Sequence, residues 1–449
     1  MLFARCAIPL LVLFGAGLPL SSGLAQAVSG APPTAKAGTV TSVVEQEFRF
    51  VTWEGTRGTN IFDPQRGRVT QFYAPLTGAM AATFADGTLW ELAAKTGYVW
   101  SHSGTPGQEA TYDGPTDTLL SAKVTIGGFT YISPFVSVNL NLPTGQSFLP
   151  GQQRFVRMDP DLVEIGAYGE GFNVNPAVGF TYAPTATLLL SPSIGYAWRG
   201  KFGREGGSLI VTDSGTNTTT GFDLTNERVE TDPGSVLQAA LSAVTRIGPA
   251  TVQGSFTYVS QSDVLQDGIP IGRAGAGYVA SVRTVYPVTG KFAVDVSGGW
   301  RFSEKNRVPK SPPSATLPFG GGDLVEEAKN SNSHVLIGAV QPTWAVADNL
   351  TFALNYSFLW RDQNYYDIIE DRFIPGRTKH SVGLLLDYAL GKTATITLSG
   401  SRFWVHDGAG PVDMSIQTTD LTQTATTNTI LPDRDYNGWA GALTAKVQF

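Results

Sequence analysis

The 449-residue sequence is poor in cysteine, in charged residues and in long apolar runs. Cys6 is the only cysteine, which excludes an internal disulfide and a metal site built from several thiolates. Charged residues make up 15% of the chain, against about 25% in typical soluble proteins. After the N-terminal region, no run reaches the roughly 18 apolar residues that a transmembrane helix needs.

What the sequence does contain is 51 glycines and an acidic balance, with a net charge of −6. That acidity argues against nucleic acid as a partner. A chain that is low in charge, yet not continuously apolar, is typical of a membrane β-barrel, because a barrel spreads its apolar residues one in two along each strand.

The N-terminus has the pattern of a secretory signal peptide. Arg5 precedes an apolar run over residues 7–20 that is too short to span a membrane. The run leads to Ala25-Gln26-Ala27, an A-x-A cleavage site. We therefore predict export and cleavage before Val28, with an uncleaved anchor as the alternative.

Three segments follow from this interpretation. Residues 1–27 are the predicted signal peptide, residues 28–41 a short periplasmic segment, and residues 42–449 the barrel. The short interval before the first strand leaves no room for an N-terminal plug domain.

The remaining sequence alternates with period two, which indicates β-strands with one apolar face. Residues 187–199 are the clearest case, and residues 172–182, 291–303 and 351–361 follow the same pattern. In the clearest segment the apolar face carries Leu188, Leu190, Pro192, Ile194, Tyr196 and Trp198.

Between successive β-segments, a short turn and a long polar connection follow one another along the chain, which is the pattern of outer-membrane barrels. Seven short turns, such as Asp86-Gly87 and Gly391-Lys392, join fourteen strands, and a first and a last strand close the ring. The sequence therefore predicts about 16 antiparallel strands in an all-β, up-and-down transmembrane barrel. The strand over residues 43–53 alternates poorly because Glu45, Glu47 and Arg49 interrupt it, so 14 or 12 strands stay open.

The tryptophans separate between the two ends of the predicted strands. Trp and Tyr settle at the headgroup level of a bilayer, so this distribution favours lipid-facing girdles. The long-loop, extracellular ends carry Trp100, Trp198, Trp300, Trp360, Trp404 and Trp439, as well as Trp53 if residues 43–53 form a strand. The short-turn, periplasmic ends carry Trp90 and Trp344.

The inward faces are small and polar, with a few charged residues that we predict to line a pore. Arginines near one mouth would favour anions, and mixed charges would set up a transverse field. Alternatively, the charges pair and tie strands together. The candidates are Glu91, Lys95, Lys123, Arg199, Arg246, Arg283, Asp295, Arg301, Arg361, Asp387 and Lys446.

Two features of the long connections suggest specific roles. Residues 201–234 are a candidate constriction loop because of their length, although they could equally cover the mouth. Acidic pairs are expected either to be solvated or to bridge to lipopolysaccharide through divalent cations. These pairs are Asp159 with Asp161, Glu326 with Glu327, and Glu370 with Asp371.

The last strand alternates cleanly and ends in phenylalanine. Such an end resembles the signal that the outer-membrane assembly machinery reads, so we predict that machinery as a partner. The predicted signal residues are Trp439, Leu443, Val447 and Phe449.

Residues 136–145 read Val-Ser-Val-Asn-Leu-Asn-Leu-Pro-Thr-Gly, a strand that proline and glycine end. This stretch resembles outer-membrane proteins linked to the meta-cleavage pathway of phenol degradation, which are regarded as transporters. The resemblance implies passage of aromatic or other hydrophobic compounds, and it carries over no substrate residues. The chain departs from the related fatty-acid channels in lacking room for an N-terminal hatch.

These observations predict an outer-membrane channel for passive passage of small molecules, without cofactor, metal or enzymatic activity. Outer-membrane lipid and lipopolysaccharide are the expected surroundings, and a homotrimer is an open alternative to a single barrel. A closed structural or adhesive barrel is the second interpretation. A lipid hydrolase is the third, because Ser333 adjoins His334 and Ser381 adjoins His380.

Overall fold

The computed structural model places most of the chain from Gly38 onward, so the predicted signal peptide and its cleavage site lie outside the described residues. Within this part of the chain, no helix is long and apolar enough to cross a membrane. The described residues are 38–56, 66–105, 108–150, 153, 156–205, 209–213, 218–223, 228–311, 321–368, 370, 372–411 and 430–449.

Sixteen antiparallel strands form one closed barrel, which confirms the predicted fold class and strand number. We number the barrel strands alone, in chain order. They are β1 (Val40–Thr56), β2 (Arg66–Thr83), β3 (Leu89–Thr105), β4 (Gln108–Pro115 and Thr118–Thr125), β5 (Ile132–Leu142), β6 (Asn173–Tyr182), β7 (Leu188–Arg199), β8 (Val236–Ile247), β9 (Ala250–Gln261), β10 (Gly277–Pro287), β11 (Phe292–Ser303), β12 (Val335–Ala347), β13 (Leu350–Arg361), β14 (Arg377–Leu390), β15 (Ala394–Asp407) and β16 (Arg434–Gln448).

The barrel closes between the first and the last strand. β1 pairs with β2 on one side and with β16 on the other, with Val43 opposite Gln448. The backbone N–H of Phe449 donates to the carbonyl of Ser42 at 2.8 Å and extends this closure to the last residue. Because β1 and β16 pair with each other, neither is an unpaired edge strand. Every barrel strand therefore has a hydrogen-bonded neighbour on both sides.

The poor alternation of β1 has a simple explanation in the closed barrel. Phe48 and Phe50 face outward, and Phe48 is 56% exposed. Glu45, Glu47 and Arg49 occupy the alternate positions and face inward. Charged residues that spoil an apolar run are therefore compatible with a membrane strand when they all fall on the lumenal face.

The outer surface is covered by exposed aliphatic and aromatic side chains that pair across neighbouring strands. Phe72 and Trp100 lie 5.8 Å apart between ring centres, and Phe292 and Trp344 lie 4.9 Å apart. Trp53 departs from the expected girdle: it lies near the long-loop end, but it faces inward and is buried. The outer surface, with its exposed aliphatic and aromatic side chains, is the one that hydrocarbon would contact.

The seven predicted short turns all connect neighbouring strands at one end of the barrel. Gly248 joins β8 to β9 with a φ of 58°, and Gly391 joins β14 to β15 with a φ of 72°. These left-handed conformations suit glycine because it has no Cβ to clash with the backbone. The long connections gather at the other end.

Candidate functional site

The connection between β5 and β6 spans residues 143–172, and its described residues fold into the barrel and pack against the inner wall. We call it the inward segment. It forms two buried apolar clusters with inward-facing residues of the strands. A connection other than residues 201–234, the candidate constriction loop, therefore folds into the lumen.

The first cluster joins the middle of the inward segment to both ends of the barrel sequence. Met158, Leu162 and Val163 of the segment are buried in it. The strand residues of this cluster are Trp53, Val69, Phe403 and Val405, from β1, β2 and β15. Burial of apolar area of this kind stabilises by about 25 cal/mol per Å².

The second cluster lies between the inward segment and β2 to β4. Tyr168 stacks on Tyr112, with 4.1 Å between ring centres, and its hydroxyl donates to the carbonyl of Val156 at 2.6 Å. Gln71 donates through its amide nitrogen to the carbonyl of Ile165 at 2.9 Å and to Ser101 at 3.1 Å. Buried polar groups on the wall thus hold the segment's backbone in place.

The two ends of the inward segment meet at Asp117, which lies where β4 is interrupted. Its carboxylate accepts the backbone N–H of Gly145 at 2.9 Å and that of Glu170 at 2.7 Å. It also accepts an amide hydrogen from Asn141 at 2.7 Å. One carboxylate therefore anchors both the entry and the exit of the segment.

Gly145, the last residue of the Leu-Pro-Thr-Gly stretch, permits this crossing. A Cβ added at Gly145 would lie 1.9 Å from the carbonyl oxygen of Tyr168. The stretch therefore has a local structural reason: proline and threonine end β5, and glycine lets two backbones pass in contact.

We predict that Gly145→Ala destabilises the protein by about 1–3 kcal/mol, because the new methyl group must displace backbone. Denaturant unfolding of the refolded barrel measures this. The matched control is Gly78→Ala, since a Cβ at Gly78 meets no atom within 4 Å. Equal unfolding free energies for the two variants would contradict the close crossing.

An ionic cluster anchors the middle of the inward segment to β13, β14 and β15. Arg361 binds Asp161 at 2.9 Å, and Arg377 binds Asp161 at 3.2 Å as well as the carboxylate of Asp159. Arg377 also binds Asp407 at 2.5 Å. The prediction that Asp159 and Asp161 are solvated or bridge to lipopolysaccharide is therefore wrong, because both are engaged inside the barrel.

The other predicted acidic pairs also have partners in the protein. Glu327 is buried and accepts the backbone N–H of Asn306 at 2.8 Å. Glu326 lies 3.6 Å from Lys305, and Glu370 binds Lys329 at 3.0 Å. Asp371 lies outside the described residues. These contacts cross-link the long connections to one another.

Burial alone would raise the pKa of the Asp159 carboxyl, but the charge of Arg377 outweighs it and holds that pKa below its ordinary value. The N–H of Asp161 supports this by donating to Asp159 at 2.9 Å. A lowered pKa means that the stabilisation is present above the ordinary carboxyl range. It is lost as the pH falls through the lowered pKa.

We therefore predict that the inward segment opens more readily at pH 3 than at pH 7. Hydrogen exchange of residues 143–172, corrected for intrinsic rates, measures this. Asp159→Asn should already exchange faster at pH 7 and should lose most of the pH dependence. Exchange in the native protein that is independent of pH would contradict the role of Asp159.

The three arginines predicted near the long-loop mouth differ in their surroundings. Arg199 binds Glu170 of the inward segment at 3.4 Å, and Arg361 binds Asp161. Arg301 of β11 makes no ion pair or hydrogen bond within the described part of the chain. Two of the three are thus neutralised by the segment.

Among the candidates at mid-height, Lys95 binds Glu164 of the inward segment at 2.9 Å, and Arg49 binds the same carboxylate. Lys123 lies 3.1 Å from Glu91 on the neighbouring strand. These contacts agree with the alternative in which lumenal charges pair. Whether these residues line a conducting pore stays a prediction.

The remaining candidates lie lower in the barrel. Arg283 binds Asp295 at 2.5 Å across β10 and β11, and Asp387 accepts a hydrogen bond from Thr397 at 2.5 Å. Arg246 is exposed at the end of β8. Lys446 stands opposite Glu45 in the register of β16 and β1. The assembly role predicted for Trp439, Leu443, Val447 and Phe449 likewise stays a prediction.

Two described stretches of residues 201–234 contribute to a small sheet at the long-loop end, which agrees with the alternative that this connection covers the mouth. Phe202–Glu205 pairs with Arg228–Asp232, which continues to Val264–Gln266 and Ile269–Gly272. Glu205 of this sheet binds Arg157 at 2.9 Å and accepts the N–H of Leu149. Through these two contacts the sheet holds the inward segment from the long-loop end of the barrel.

Among the described residues, contacts of the inward segment fall on β1 to β4, on β7 and on β13 to β16. The inner faces of β8 to β12 present mainly small, hydroxyl and aliphatic side chains. Within the described residues, the part of the lumen that the inward segment leaves uncovered therefore lies against this wall.

The sequence prediction missed Glu164, Glu170 and Arg377. One signal in the sequence could have identified the inward segment, which carries Glu164 and Glu170. The connection over residues 143–172 contains Leu149, Val156, Met158, Leu162 and Val163, an apolar content that a solvated loop does not need.

The histidines show no serine partner in the described residues. Their ring nitrogens contact Thr111, Trp300, Tyr356 and Asp435. His380 faces outward and Ser381 inward, as neighbours on a strand must. The geometry for a Ser-His nucleophile is therefore not built there.

No family model and no curated protein matches the sequence. The chain is similar to the toluene transporter TodX of Pseudomonas putida at 11% identity, over 95% of this chain and 93% of that one, with a TM-score of 0.37. It is similar to a FadL homologue of Pseudomonas aeruginosa at 9% identity, over 91% and 90%, with a TM-score of 0.39. For OmpT of Vibrio cholerae the identity is 11%, the coverage 92% and 99%, and the TM-score 0.38. These values are low, so the functional argument rests on the barrel itself.

Proposed function

We propose that the protein is an outer-membrane channel through which small molecules pass by diffusion, narrowed by the inward segment. The observation that supports this most directly is the one-sided packing of that segment. Its two apolar clusters lie on β1 to β4, β15 and β16, and its ion pairs reach β13 and β14. A barrel of about 16 strands is wide enough to leave an aqueous channel beside it.

The outer surface supports the membrane assignment. Its leucines, valines and aromatics are exposed in the isolated chain, which would be unfavourable in water over so large an area. Export by a signal peptide, cleavage before Val28 and an outer-membrane location follow as parts of the same proposal. The lipid neighbours would then be phospholipid and lipopolysaccharide.

The channel proposal is tested with purified protein in a planar bilayer. We expect stepwise conductance, because the described residues leave the lumen uncovered along β8 to β12. A membrane that stays silent at all voltages would contradict it.

The buried packing of Val99, Leu149 and Tyr168 favours a second candidate, a closed structural barrel. Liposome swelling with small sugars separates the two. Swelling supports the channel, and intact liposomes with correctly inserted protein support the closed barrel.

A further inference from the structure

The uncovered wall of the lumen carries an exposed apolar residue. Ile337 of β12 occupies an inward position of its strand, and 50% of its surface is exposed. Aliphatic side chains in a water-filled lumen gain nothing from that exposure. Ile337 is therefore a candidate contact for something that passes.

The neighbours of Ile337 leave space for a ligand. Gly299 stands directly opposite on β11, and a Cβ there would touch the Ile337 side chain at 3.7 Å. Leu359 stands opposite on the other side, on β13. Leu359, Ile337 and Gly299 thus form an apolar surface across three neighbouring strands, which we call the apolar floor. Gly299 contributes no side chain to it.

Arg301 lies one inward position from Gly299 toward the long-loop end of β11. Its direct neighbour across the strands is Val335, so it is diagonal to Ile337 at roughly 7–8 Å. No acceptor within the described residues engages its guanidinium, whereas Arg361 in the same row is bound by Asp161. Lys379, beside Leu359, donates to the carbonyl of Asp161 at 2.8 Å.

We propose that Arg301, Ile337 and Leu359 form a subsite for small organic anions with an apolar body, such as aromatic carboxylates. This proposal deepens the proposed channel function and rests on it. The guanidinium binds the carboxylate through two N–H groups, and the apolar floor takes the ring out of water. Chloride and acetate lack the apolar body, and neutral aromatics lack the charge.

The test uses single-channel recording of the full barrel in chloride solution, with benzoate, acetate or benzyl alcohol as the added solute. We expect benzoate to interrupt the chloride current at a concentration at least tenfold lower than either of the others. Equal effects of benzoate and acetate on the native protein would overturn the proposal.

Variants separate the two parts of the subsite. Arg301→Gln should weaken the benzoate effect at least fivefold, and Ile337→Thr should remove the advantage of benzoate over acetate. Ile337→Val, which keeps the apolar floor, should retain that advantage. The matched control is Arg402→Gln, which loses an arginine that faces outward between Trp404 and Trp439. Equal losses in R301Q and R402Q would overturn the assignment.

Failure of the channel proposal is distinguishable from failure of the subsite. If the native barrel does not conduct chloride, benzoate binding is measured by calorimetry on the detergent-solubilised protein. Binding that R301Q weakens fivefold supports the subsite within a closed barrel. Binding that is absent, or unchanged in R301Q, overturns it.

Discussion

A variant in which residues 147–167 are replaced by two glycines should conduct roughly threefold more than the native barrel, or more, since a lumen of about 16 strands is wide once emptied. The ends of the deletion are already close. Gly145 and Glu170 both donate to Asp117, so a short link can join them without pulling on β5 or β6. The strand register of the barrel does not pass through the deleted residues.

The control for this deletion removes the hairpin of Leu209–Asp213 and Thr218–Asp223, which pairs only with itself in the described residues. We expect its conductance to match that of the native barrel. If both deletions change the conductance equally, the inward segment is not the constriction. If neither changes it, the segment does not narrow the path.

Replacing Arg377 by methionine should destabilise the folded protein by about 3–5 kcal/mol, the usual cost of removing one partner from a buried ionic cluster. Arg377 is only 8% exposed, and it faces Asp159, Asp161 and Asp407. Methionine keeps the apolar bulk but leaves three carboxylates around a missing charge. Denaturant unfolding measures the difference.

The control for Arg377 is Arg273→Met, which breaks a partly exposed pair with Asp263 and should cost less than about 1 kcal/mol. A double variant with Asp159→Asn and Arg377→Met should recover part of the loss, because it removes one carboxylate that R377M leaves unpaired and keeps Asp161 for Arg361. Equal unfolding free energies for R377M and R273M would contradict the cluster.

The barrel was predictable because its signal is local. Alternation along β7 and β11 places Trp198 and Trp300 on one face without knowledge of any distant residue. Turn chemistry at Gly248 and Gly391 marks where strands reverse. Even β1 could be recognised, although its inward charges hide its apolar face.

The interior was not predictable from local pattern. Asp161 finds Arg361 across 200 residues of sequence, and Asp159 finds Arg377 across 218. From the sequence alone a carboxylate is expected to be solvated, because the strand that carries its partner is distant in sequence and its position in space is not yet known. Length alone selected residues 201–234, whereas the apolar content of residues 143–172 was the more informative property.

The central claim is that alternate side chains of each strand face hydrocarbon and water. Val296 and Ser297 on β11 test it most directly, because they are neighbours with opposite directions and the rest of the strand is unchanged. Each is replaced by cysteine in a Cys6→Ser background, and the barrel is reconstituted in lipid vesicles. We predict that a charged, membrane-impermeant thiol reagent labels the cysteine at 297 and spares the one at 296. Equal labelling, or labelling at 296 alone, would contradict the account.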